Sequence, residues 1–540
     1  MNALILMAGS IIIFIIAYIT YGGWLVKQWG IDPSRKTPAH EMNDGIDYVP
    51  TNQAVLLGHH FASIAGAGPI NGPIQAAIFG WVPVFLWVVV GSIFVGGVHD
   101  FGSLYASVRH KGKSIGEIIN ANMGKRGMML FSVFAWLTLI LVVAAFTNIV
   151  ASTFATVPAA ASSSMLFIVL AIVFGFLVYR KGVSLKVGTV VGVIVLFLCV
   201  YLGTLFPLTL SVNTWIAIMC IYILAASTAP VWILLQPRDY LNSFLLYAMI
   251  FGAVAGIVIM NPSIKLPSVT AFNVGGQYLF PMLFVTVACG AISGFHSLVG
   301  SGTSSKQVDN EGDTKLIGYG AMLIEGVLAV VALITASYIS GGELTELLKG
   351  GPGNVFSSGV GTFMSRIGIP FEIGKTFAAL AVSAFALTSL DTATRLARFI
   401  FQEFFDDPAK EKQSVLSNMY VSTGITVAIG GWLAVGGFAK IWPIFGSANQ
   451  LLASLSLLAV AVWLKKIGKN YHMLTLPMIF MLAVTLSALV FLIKANLAVG
   501  NYILVIFPVL LFILAIVLAF EGYPIIFKKD EPPQEISKSN

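Results

Sequence analysis

The chain has few charged residues for its length. Lys, Arg, Asp and Glu make up 10% of its 540 residues, against about 25% in an ordinary soluble domain. Hydrophobic residues make up 57% and the mean hydropathy is +0.91, which excludes a soluble enzyme, a disordered chain, a collagen and a coiled coil. The apolar runs reach about twenty residues, the length of a transmembrane helix, rather than the ten or so alternating residues of a barrel strand. The composition therefore predicts an all-α polytopic membrane protein.

Cysteines and the common catalytic motifs are also scarce. The three cysteines, Cys199, Cys220 and Cys289, lie in apolar runs, where a thiol usually packs as a small hydrophobic side chain. The sequence contains no HExxH, CxxC, GxSxG or Walker-type motif, so a hydrolase, a redox enzyme or an ATP-driven pump would lack its chemistry. We expect no enzymatic activity, no cofactor and no resident metal, with energy supplied by an ion gradient.

The charges that are present fall mostly on one side of the predicted membrane. With the N-terminus outside, 24 Lys and Arg lie in inner segments and 6 in outer ones, as the positive-inside rule requires. The surplus of Lys and Arg in the inner segments accounts for the net charge of +7, so no nucleic-acid partner is expected. We predict a multi-pass protein of the plasma membrane with a cytoplasmic C-terminus. The apolar runs predict about fifteen spans, at 3–21, 54–80, 82–107, 128–150, 164–179, 187–208, 214–235, 241–260, 278–299, 316–339, 373–390, 417–438, 441–464, 472–493 and 500–520.

The most unusual span is 54–80, which contains GHHFASIAGAGPINGP at 58–73. Proline removes a helical donor and clashes with the preceding turn, and freed backbone groups at membrane depth persist only in protein or beside a cavity. We therefore expect a discontinuous helix near Gly66–Pro69. Many secondary transporters bind substrate at such breaks, so Gly66, Gly68 and Pro69 are candidate substrate-binding residues. The alternative is a kink that serves close packing of small residues.

Titratable side chains inside spans form a second set of candidates. Such a group costs at least about 2.5 kcal/mol at the bilayer centre unless it is paired or hydrated. His99 and Asp100 are adjacent, and since neighbouring helical side chains point about 100° apart, we expect them to have different partners. Hydroxyls suit Na⁺ and imidazoles suit H⁺, which leaves the coupling ion open. The candidate ion-coupling residues are His59, His60, His99, Asp100, Ser293, His296, Ser297 and Glu325.

A third set of candidates lies near the predicted inner surface. Pro230 is expected to break the span 214–235. The pair Arg238 and Asp239 follows directly after its cytoplasmic end. This pair is interpreted either as a gate or anion contact, or as a surface ion pair. Asp391 is the third candidate gate residue, although Arg395 lies one helical turn away and a structural salt bridge between the two is the simpler explanation.

Two further features concern the outer side and the order of the spans. The stretch 340–371, rich in Gly and Ser, is interpreted as a lid over an outer opening or as a loose connection. The broken spans 54–80 and 214–235 run in opposite directions, which suggests an inverted repeat, although coincidence is the alternative. This hypothesis divides the chain into a peripheral first helix and loop at 1–53, core repeats at 54–208 and 214–390, peripheral helices at 391–520, and a cytoplasmic tail at 521–540.

Six motifs run in order along most of the chain: GHHFASIAGAGPINGP, GGVHDF, APVWILLQPRDYLNSF, SGFHSLVGSGTSSKQ, LTSLDTATRLARF and IWPIFGSANQLLA. Together they resemble the carbon starvation protein A (CstA) family. The resemblance implies uptake of peptides or pyruvate across the bacterial inner membrane in the response to carbon starvation. It also implies a five-plus-five inverted-repeat core of the amino acid–polyamine–organocation type, and proton coupling in pyruvate-transporting relatives. On that core, substrate would lie between Gly66–Pro69 and the candidates Ala229, Pro230 and Trp232.

The sequence thus predicts a symporter that imports a small carboxylated nutrient, pyruvate or short peptides, together with H⁺ or Na⁺. Its partners would be that substrate, the ion and the lipid bilayer. One alternative is a membrane sensor that binds the same ligand and signals through its inner loops. Another is an intramembrane metalloenzyme that uses His59, His60, His99 and Asp100.

Overall fold

The computed structural model describes residues 2–45, 47–229, 233–405, 414–436 and 438–527. Within these residues nearly all regular structure is helical, which confirms the predicted all-α class. The α-helices, in chain order, are α1 Ala3–Ile19, α2 Tyr21–Trp29, α3 Pro38–Glu41, α4 Gln53–Ile64, α5 Gly68–Ala76, α6 Trp81–Gly91, α7 Gly97–Arg109, α8 Ile115–Met123, α9 Lys125–Thr156, α10 Pro158–Gly175, α11 Leu185–Leu205, α12 Val212–Thr228, α13 Leu235–Met260, α14 Leu279–Thr286, α15 Gly294–Gly302, α16 Ala321–Ser337, α17 Gly341–Leu348, α18 Pro352–Ser365, α19 Phe371–Phe405, α20 Met419–Val435, α21 Phe438–Lys466, α22 His472–Ala498 and α23 Ile503–Phe527.

Short irregular elements connect some of these helices. A π-helical turn at Ser92–Gly96 joins α6 to α7, and another at Lys315–Gly320 leads into α16. The strands β1 Asn273–Val274 and β2 Gln277–Tyr278 form an antiparallel hairpin just before α14. A π-helical turn shifts the backbone register and is often found at functional sites, so the two that lie beside α7 and α16 mark the region described below.

The described residues contain 11 helices long and apolar enough to cross a membrane, which shows a multi-pass membrane protein. The four other predicted spans correspond to two shorter apolar helices, Val212–Thr228 and Met419–Val435, and to two interrupted segments, α4–α5 and α14–α15. Each half of an interrupted segment is too short to cross a membrane on its own. These two segments are therefore not among the 11 helices. The total of fifteen spans stays a prediction.

Burial separates inner helices from lipid-facing ones. In the most apolar stretch of each span, the share of buried residues is 100% for Ile441–Lys466 and 89% for Glu311–Ser337. It is only 22% for Leu185–Leu205. Small and polar residues such as Ser447, Asn449 and Ser454 let α21 pack closely on all sides. The segment predicted as peripheral, 391–520, thus includes the deeply buried α21. The predicted domain boundaries themselves stay predictions, and the tail from residue 528 lies outside the described residues.

The stretch 340–371 is folded into the two helices α17 and α18. Ser340 and Glu343 form a capping box that starts α17, and Gly351, with φ of +84°, makes the turn before α18. Val355, Phe356 and Val360 of α18 are fully buried, and α18 packs on α5, α13, α16 and α19. The loose-connection interpretation is therefore wrong, because α18 is part of the packed core.

Candidate functional site

The first helix break lies where the sequence predicted it. The helix α4 ends at Ile64 and α5 begins at Gly68, so residues 65–67 interrupt the span. Pro69 occupies the first turn of α5, where a missing N–H costs nothing. Gly66, Gly68 and Pro69 are all buried, so the freed backbone groups lie inside the protein rather than against lipid.

A second break lies in a span that the sequence predicted to be continuous. The helix α12 ends at Thr228, before Pro230, and Pro237 falls in the first turn of α13, where proline is tolerated. The interrupted span is α14–α15, with residues 287–293 between its halves. Its break contains Gly290 among other small residues but no proline, and the sequence therefore resembled a continuous helix. Residues 230–232 lie outside the described residues, so the predicted break at Pro230 and the pairing of the span 214–235 with the first break stay predictions.

The two breaks face each other. The helix α5 packs on α14 and α4 packs on α15, so the two interrupted spans are antiparallel. A Cβ atom at Gly72 would lie 2.7 Å from the Thr286 carbonyl oxygen and 3.1 Å from Val287 Cα, and one at Gly290 would lie 3.6 Å from Pro69 Cα. These glycines allow backbone to meet backbone. Two antiparallel broken helices in contact are the arrangement that secondary transporters use around a central site.

The candidates at 229–232 are only partly described. Pro230 and Trp232 lie outside the described residues. The carbonyl oxygen of Ala229 accepts a hydrogen bond of 2.6 Å from Arg395 Nη2. Gly68 and Pro69 contact the segment 287–293, with Cys289 against Gly68. The role predicted for Ala229 stays a prediction.

Close contact across the breaks makes Gly72 sensitive to substitution. We expect Gly72→Ala to destabilise the protein by about 1–3 kcal/mol, because the added methyl group meets backbone that cannot rotate away. The matched control is Gly424→Ala in α20, where a Cβ would meet nothing within 4 Å and where Ala favours the helix. The thermal unfolding midpoint of each purified variant in detergent tests this. Equal midpoints for the two variants would show that the breaks are not in tight contact.

Four predicted ion-coupling residues form one buried chain of contacts. His99 Nδ1 lies 2.7 Å from Asp100 Oδ1, and His296 Nδ1 lies 2.8 Å from Asp100 Oδ2. His296 Nε2 lies 3.5 Å from Glu325 Oε2. All four side chains are at most 3% exposed. They come from α7, α15 and α16, so the chain joins the second broken helix to two inner helices. We call it the Asp100 chain.

The geometry of the Asp100 chain favours proton transfer. A carboxylate only accepts hydrogen bonds, so both imidazoles present Nδ1–H to Asp100. The Nε2 atom of His296 then faces Glu325, and one proton can reside on either of these two groups. Neither oxygen of Glu325 has a hydrogen-bond partner among the described residues. The expectation that His99 and Asp100 have different partners was wrong, since the backbone lets both side chains turn toward each other.

The other two histidines among the predicted ion-coupling residues lie on α4 and make different contacts. His60 Nδ1 lies 2.7 Å from Ser304 Oγ, just beyond α15. His59 Nδ1 lies 3.6 Å from Asp239 Oδ2, which is too long for a hydrogen bond. The structure thus places His60 beside the second broken helix and His59 beside α13.

The candidate gate residues form a second buried group, which we call the Arg238 network. Arg238 Nη2 lies 3.0 Å from Asp239 Oδ1, and its Nη1 contacts both Asp391 Oδ2 and the Tyr222 hydroxyl. The Asp and Arg side chains are at most 2% exposed, so the interpretation as a surface ion pair was wrong. The network connects α12, α13 and α19.

The salt bridge expected between Asp391 and Arg395 is replaced by other contacts. Asp391 faces Arg238, whereas Arg395 Nη2 donates to the carbonyl oxygens of Ala226 and Ala229 at the C-terminal end of α12. A cation is favourable there because the last carbonyls of a helix are unpaired and carry partial negative charge. Two side chains one helical turn apart can pair on an isolated helix. In this structure Asp391 and Arg395 instead pair with groups on other helices.

The hydroxyl candidates Ser293 and Ser297 are engaged by α21. The Asn449 side chain donates to Ser293 Oγ at 3.0 Å and accepts from the Phe295 N–H at 2.9 Å, which caps α15. Ser297 Oγ lies 2.8 Å from Ser456 Oγ. Sequence reasoning did not select Asn449, although an amide pair, Asn449–Gln450, inside an apolar span is an available signal.

The carbonyl groups freed by the second break are satisfied by side chains from α6, from the π-helical turn that follows it and from α21. Ser92 Oγ donates to the Gly290 carbonyl oxygen at 3.1 Å, and Trp87 Nε1 donates to that of Val287 at 3.3 Å. Gln450 Nε2 also contacts the carbonyl oxygens of Phe284 and Val287. Unpaired backbone groups are costly inside a membrane protein, so these contacts hold the break in its interrupted form.

Two cavities lie toward opposite ends of the broken helices. The first, of about 460 Å³, lies between α5, α9 and the start of α18; we call it the α18 cavity. The second, of about 850 Å³, lies at the ends of α15 and α19 and includes Ser301, Gly302 and Lys306; we call it the α15 cavity. Since the broken helices are antiparallel, α5 and α15 lead away from the breaks in opposite directions. Among the described residues, no group of three or more His, Cys, Asp or Glu side chains is placed to hold a metal ion.

Fold and site together define a polytopic helical membrane protein built around two antiparallel broken helices, an architecture of secondary transporters. The family model described as carbon starvation protein CstA matches residues 2–349 and 340–488. The chain therefore belongs to the CstA family, as its motifs indicated.

Alignments with two relatives cover most of the chain. It is 33% identical to the peptide transporter CstA of Bacillus subtilis (strain 168), over 88% of this chain and 88% of that protein. It is 32% identical to the pyruvate/proton symporter BtsT of Escherichia coli (strain K12), over 90% of this chain and 81% of that protein. The crystal structure of an Eremococcus coleocola manganese transporter in complex with a bis-isothiourea compound has a similar fold, with a TM-score of 0.52 and 11% identity over 90% of this chain and 99% of that one. The relatives and this structural neighbour are transporters.

Proposed function

We propose that the protein is a proton-coupled symporter that imports a small carboxylated nutrient, a short peptide or pyruvate, across the bacterial inner membrane. The observation that carries this proposal is the buried Asp100 chain, which ends next to the second broken helix at the Glu325 carboxyl group, 3.5 Å from His296 and without a hydrogen-bond partner among the described residues. Relatives named as a peptide transporter and as a pyruvate/proton symporter support the substrate class and the ion.

In this proposal, protons bind on the Asp100 chain. A proton that moves between His296 Nε2 and Glu325 changes the charge beside α15 without any large movement of either side chain. Because α15 is one half of a broken helix, such a change can alter the relative stability of two positions of that helix. His60, bonded to Ser304 near the end of α15, is placed to extend the route toward the α15 cavity. Ser293 and Ser297 support this helix through α21.

Substrate, in this proposal, binds between the two breaks. Gly66, Gly68 and Pro69 line the first break, and the segment 287–293 lines the second. Ala229, Pro230 and Trp232 stay predicted substrate contacts. Backbone N–H groups at the start of a helix favour a carboxylate, and α5 and α15 both begin at these breaks. Both a peptide and pyruvate carry that group.

The Arg238 network is proposed to act as the gate. It ties α13 to α12 and α19, and His59 of α4 lies 3.6 Å from its member Asp239. A shift of α4 relative to α13 would close or open this last contact, whereas Arg238 and Asp391 would stay paired. The positive-inside asymmetry supports an orientation with the N-terminus outside, in which the α18 cavity faces outward and the α15 cavity faces the cytoplasm.

Uptake into liposomes tests the proposal. Purified protein should accumulate labelled dialanine or labelled pyruvate when an inward proton gradient is imposed, and a protonophore should abolish this accumulation. Empty liposomes and an imposed sodium gradient at equal pH are the controls. Accumulation driven by sodium alone would overturn the proton coupling, and stoichiometric binding without any uptake would favour the sensor alternative.

A further inference from the structure

We propose that His59 and Asp239 form a proton-operated latch that slows the transporter when the cytoplasm becomes acidic. When His59 is protonated, it bonds Asp239 and holds α4, the inner half of the first broken helix, against α13. This inference rests on the proposed function, in which the Arg238 network is the gate, and it names how that gate is regulated. The proton of the latch is separate from those of the Asp100 chain.

His59 differs from the other histidines inside the predicted spans. His60, His99 and His296 each have a hydrogen-bond partner for Nδ1, at 2.7 or 2.8 Å. The Nδ1 atom of His59 has none among the described residues, and the proton route along the Asp100 chain does not use this side chain. Because a buried polar atom without a partner is costly, a partner that becomes available on protonation would stabilise this region.

Asp239 offers such a partner. Its Oδ1 atom lies 3.0 Å from Arg238 Nη2, but its Oδ2 atom has no hydrogen bond in the described part of the chain. Oδ2 lies 3.6 Å from His59 Nδ1, beyond hydrogen-bond distance. A neutral imidazole with its N–H on Nε2 presents Nδ1 as an acceptor, and two facing acceptors do not bond. The imidazolium carries an N–H on both nitrogens, so protonation turns this contact into a charge-assisted hydrogen bond.

A small movement of α4 is enough to form that bond. Charge-assisted N–H···O bonds measure about 2.7–2.9 Å, so the two helices must approach each other by less than about 1 Å. Gly58, the residue before His59, already brings them close, since a Cβ atom built on it would lie 3.2 Å from Ser243 Oγ of α13. Once formed, the bond resists the shift of α4 relative to α13 that the gate requires.

Burial determines where the proton enters. His59 is 7% exposed, whereas Asp239 and Asp391 are fully buried and Arg238 is 2% exposed. His59 is therefore the member of this group that water can reach most easily. Because α4 is the inner half of its span in the proposed orientation, the latch responds to the pH of the cytoplasm rather than to that of the outer side.

Asp239 is the charged partner that His59 can reach. Among the described residues, it is the one Asp or Glu that forms a close contact with His59, since Asp391 is bonded to Arg238 instead. The bond to Asp239 is therefore what protonation of His59 changes. The charged or imidazole side chains near α4 on the elements that pack against it are Arg238 and Asp239 on α13, Asp391, Arg395 and Arg398 on α19, His296 on α15, Glu325 on α16 and Lys315 in the π-helical turn before α16, with His60 on α4 itself.

Thermal unfolding of the purified full-length protein in detergent tests the latch without requiring transport. His59→Leu removes the titrating nitrogens at similar volume. We expect the unfolding midpoint of the wild type to exceed that of His59→Leu by about 2 °C more at about pH 5.5 than at about pH 8, because the protonated pair exists only in acid. His472→Leu, at an exposed position in the first turn of α22, should show the same difference from the wild type at both pH values. In an Asp239→Asn background, His59→Leu should lose its pH-dependent effect.

Counterflow in liposomes with equal pH on both sides measures the effect on transport. Glu325→Gln protein is used, since it should retain exchange and it removes the titration of Glu325 from the measurement. We expect exchange of labelled dialanine or labelled pyruvate to slow about tenfold or more between about pH 8 and about pH 5.5. The double variant Glu325→Gln with His59→Leu should lose most of this slowing.

The outcomes separate the latch from the proposed function. A difference between wild type and His59→Leu that does not change with pH would overturn the latch, and so would equal slowing of exchange with and without His59. Should Asp239→Asn fail to fold, the comparison of His59→Leu with His472→Leu still decides. Proton-driven uptake together with pH-independent stability would keep the function and reject the latch. Absence of any uptake by the wild type would refute the function, while unfolding would still decide whether the pair forms in acid.

Discussion

Glu325→Gln should abolish proton-driven accumulation and leave substrate exchange intact. Glutamine has almost the same shape as glutamic acid and fits the fully buried position, but it cannot exchange a proton with His296. We expect the initial rate of uptake under a proton gradient to fall about 100-fold or more. Counterflow, in which labelled substrate enters in exchange for unlabelled substrate, needs no net proton movement and should persist.

The physical reason is the position of Glu325 at the end of the Asp100 chain. Its carboxyl group lies 3.5 Å from His296 Nε2, and His296 is fixed on its other side by Asp100. Asp100 is held in turn by His99. Glu325 is therefore the member of the chain whose proton is least restrained by hydrogen bonds, and the neutral amide removes this one proton site while it leaves the other three residues in place.

An exposed acid provides the matched control for this experiment. Glu372→Gln changes the same group in the first turn of α19, where the side chain is exposed, and uptake should match the wild type. Counterflow measured on the same liposomes separates loss of coupling from loss of folded protein. Normal proton-driven accumulation by Glu325→Gln would remove Glu325 from the mechanism, and loss of both accumulation and counterflow would indicate a structural role.

Arg238→Met should be among the most destabilising single substitutions in the protein. Arg238 is 2% exposed and lies between the carboxylates of Asp239 and Asp391. Removing it leaves two buried negative charges without their cation, and breaking a buried pair in this way costs about 3–5 kcal/mol. The apparent midpoint of thermal unfolding in detergent, together with the yield of monodisperse protein, measures the effect.

A second substitution tests whether charge or volume is responsible. The double variant Arg238→Met with Asp391→Asn removes one of the stranded carboxylates and should recover part of the lost stability, which is the non-additivity expected for residues in contact. Arg366→Met, at an exposed position, should have little effect. A double variant less stable than Arg238→Met alone would show that the Arg238 network does not hold together through its charges.

Much of the fold could be predicted from local sequence. The first break followed from the cluster around Gly66–Pro69, since proline and glycine act on the backbone through their own chemistry whatever surrounds them. The second break could not be found in this way, because the chain from Ala288 to Gly294 contains no proline. It is kept open by Trp87, Ser92 and Gln450, which donate to its carbonyl groups and lie far away in the sequence.

The candidate site shows the same division. Every titratable residue of the Asp100 chain was selected because an ionisable group inside an apolar span is costly, and cost is a property of the residue and its span. The contacts were not predictable. Asp391 pairs with Arg238, 153 positions away, rather than with Arg395 one turn along, because three helices meet at that point.

The sequence by itself determined that the chain lies in a membrane, where most of its long apolar helices run and which residues are too costly to be there without a purpose. These follow from hydropathy, charge and backbone chemistry, which act over a few residues. The tertiary structure alone decided that the two breaks contact each other, which basic side chain pairs with each buried carboxylate, and that α21 lies at the centre. Such choices depend on distances between helices, and apolar helices of similar composition carry no local signal of their neighbours.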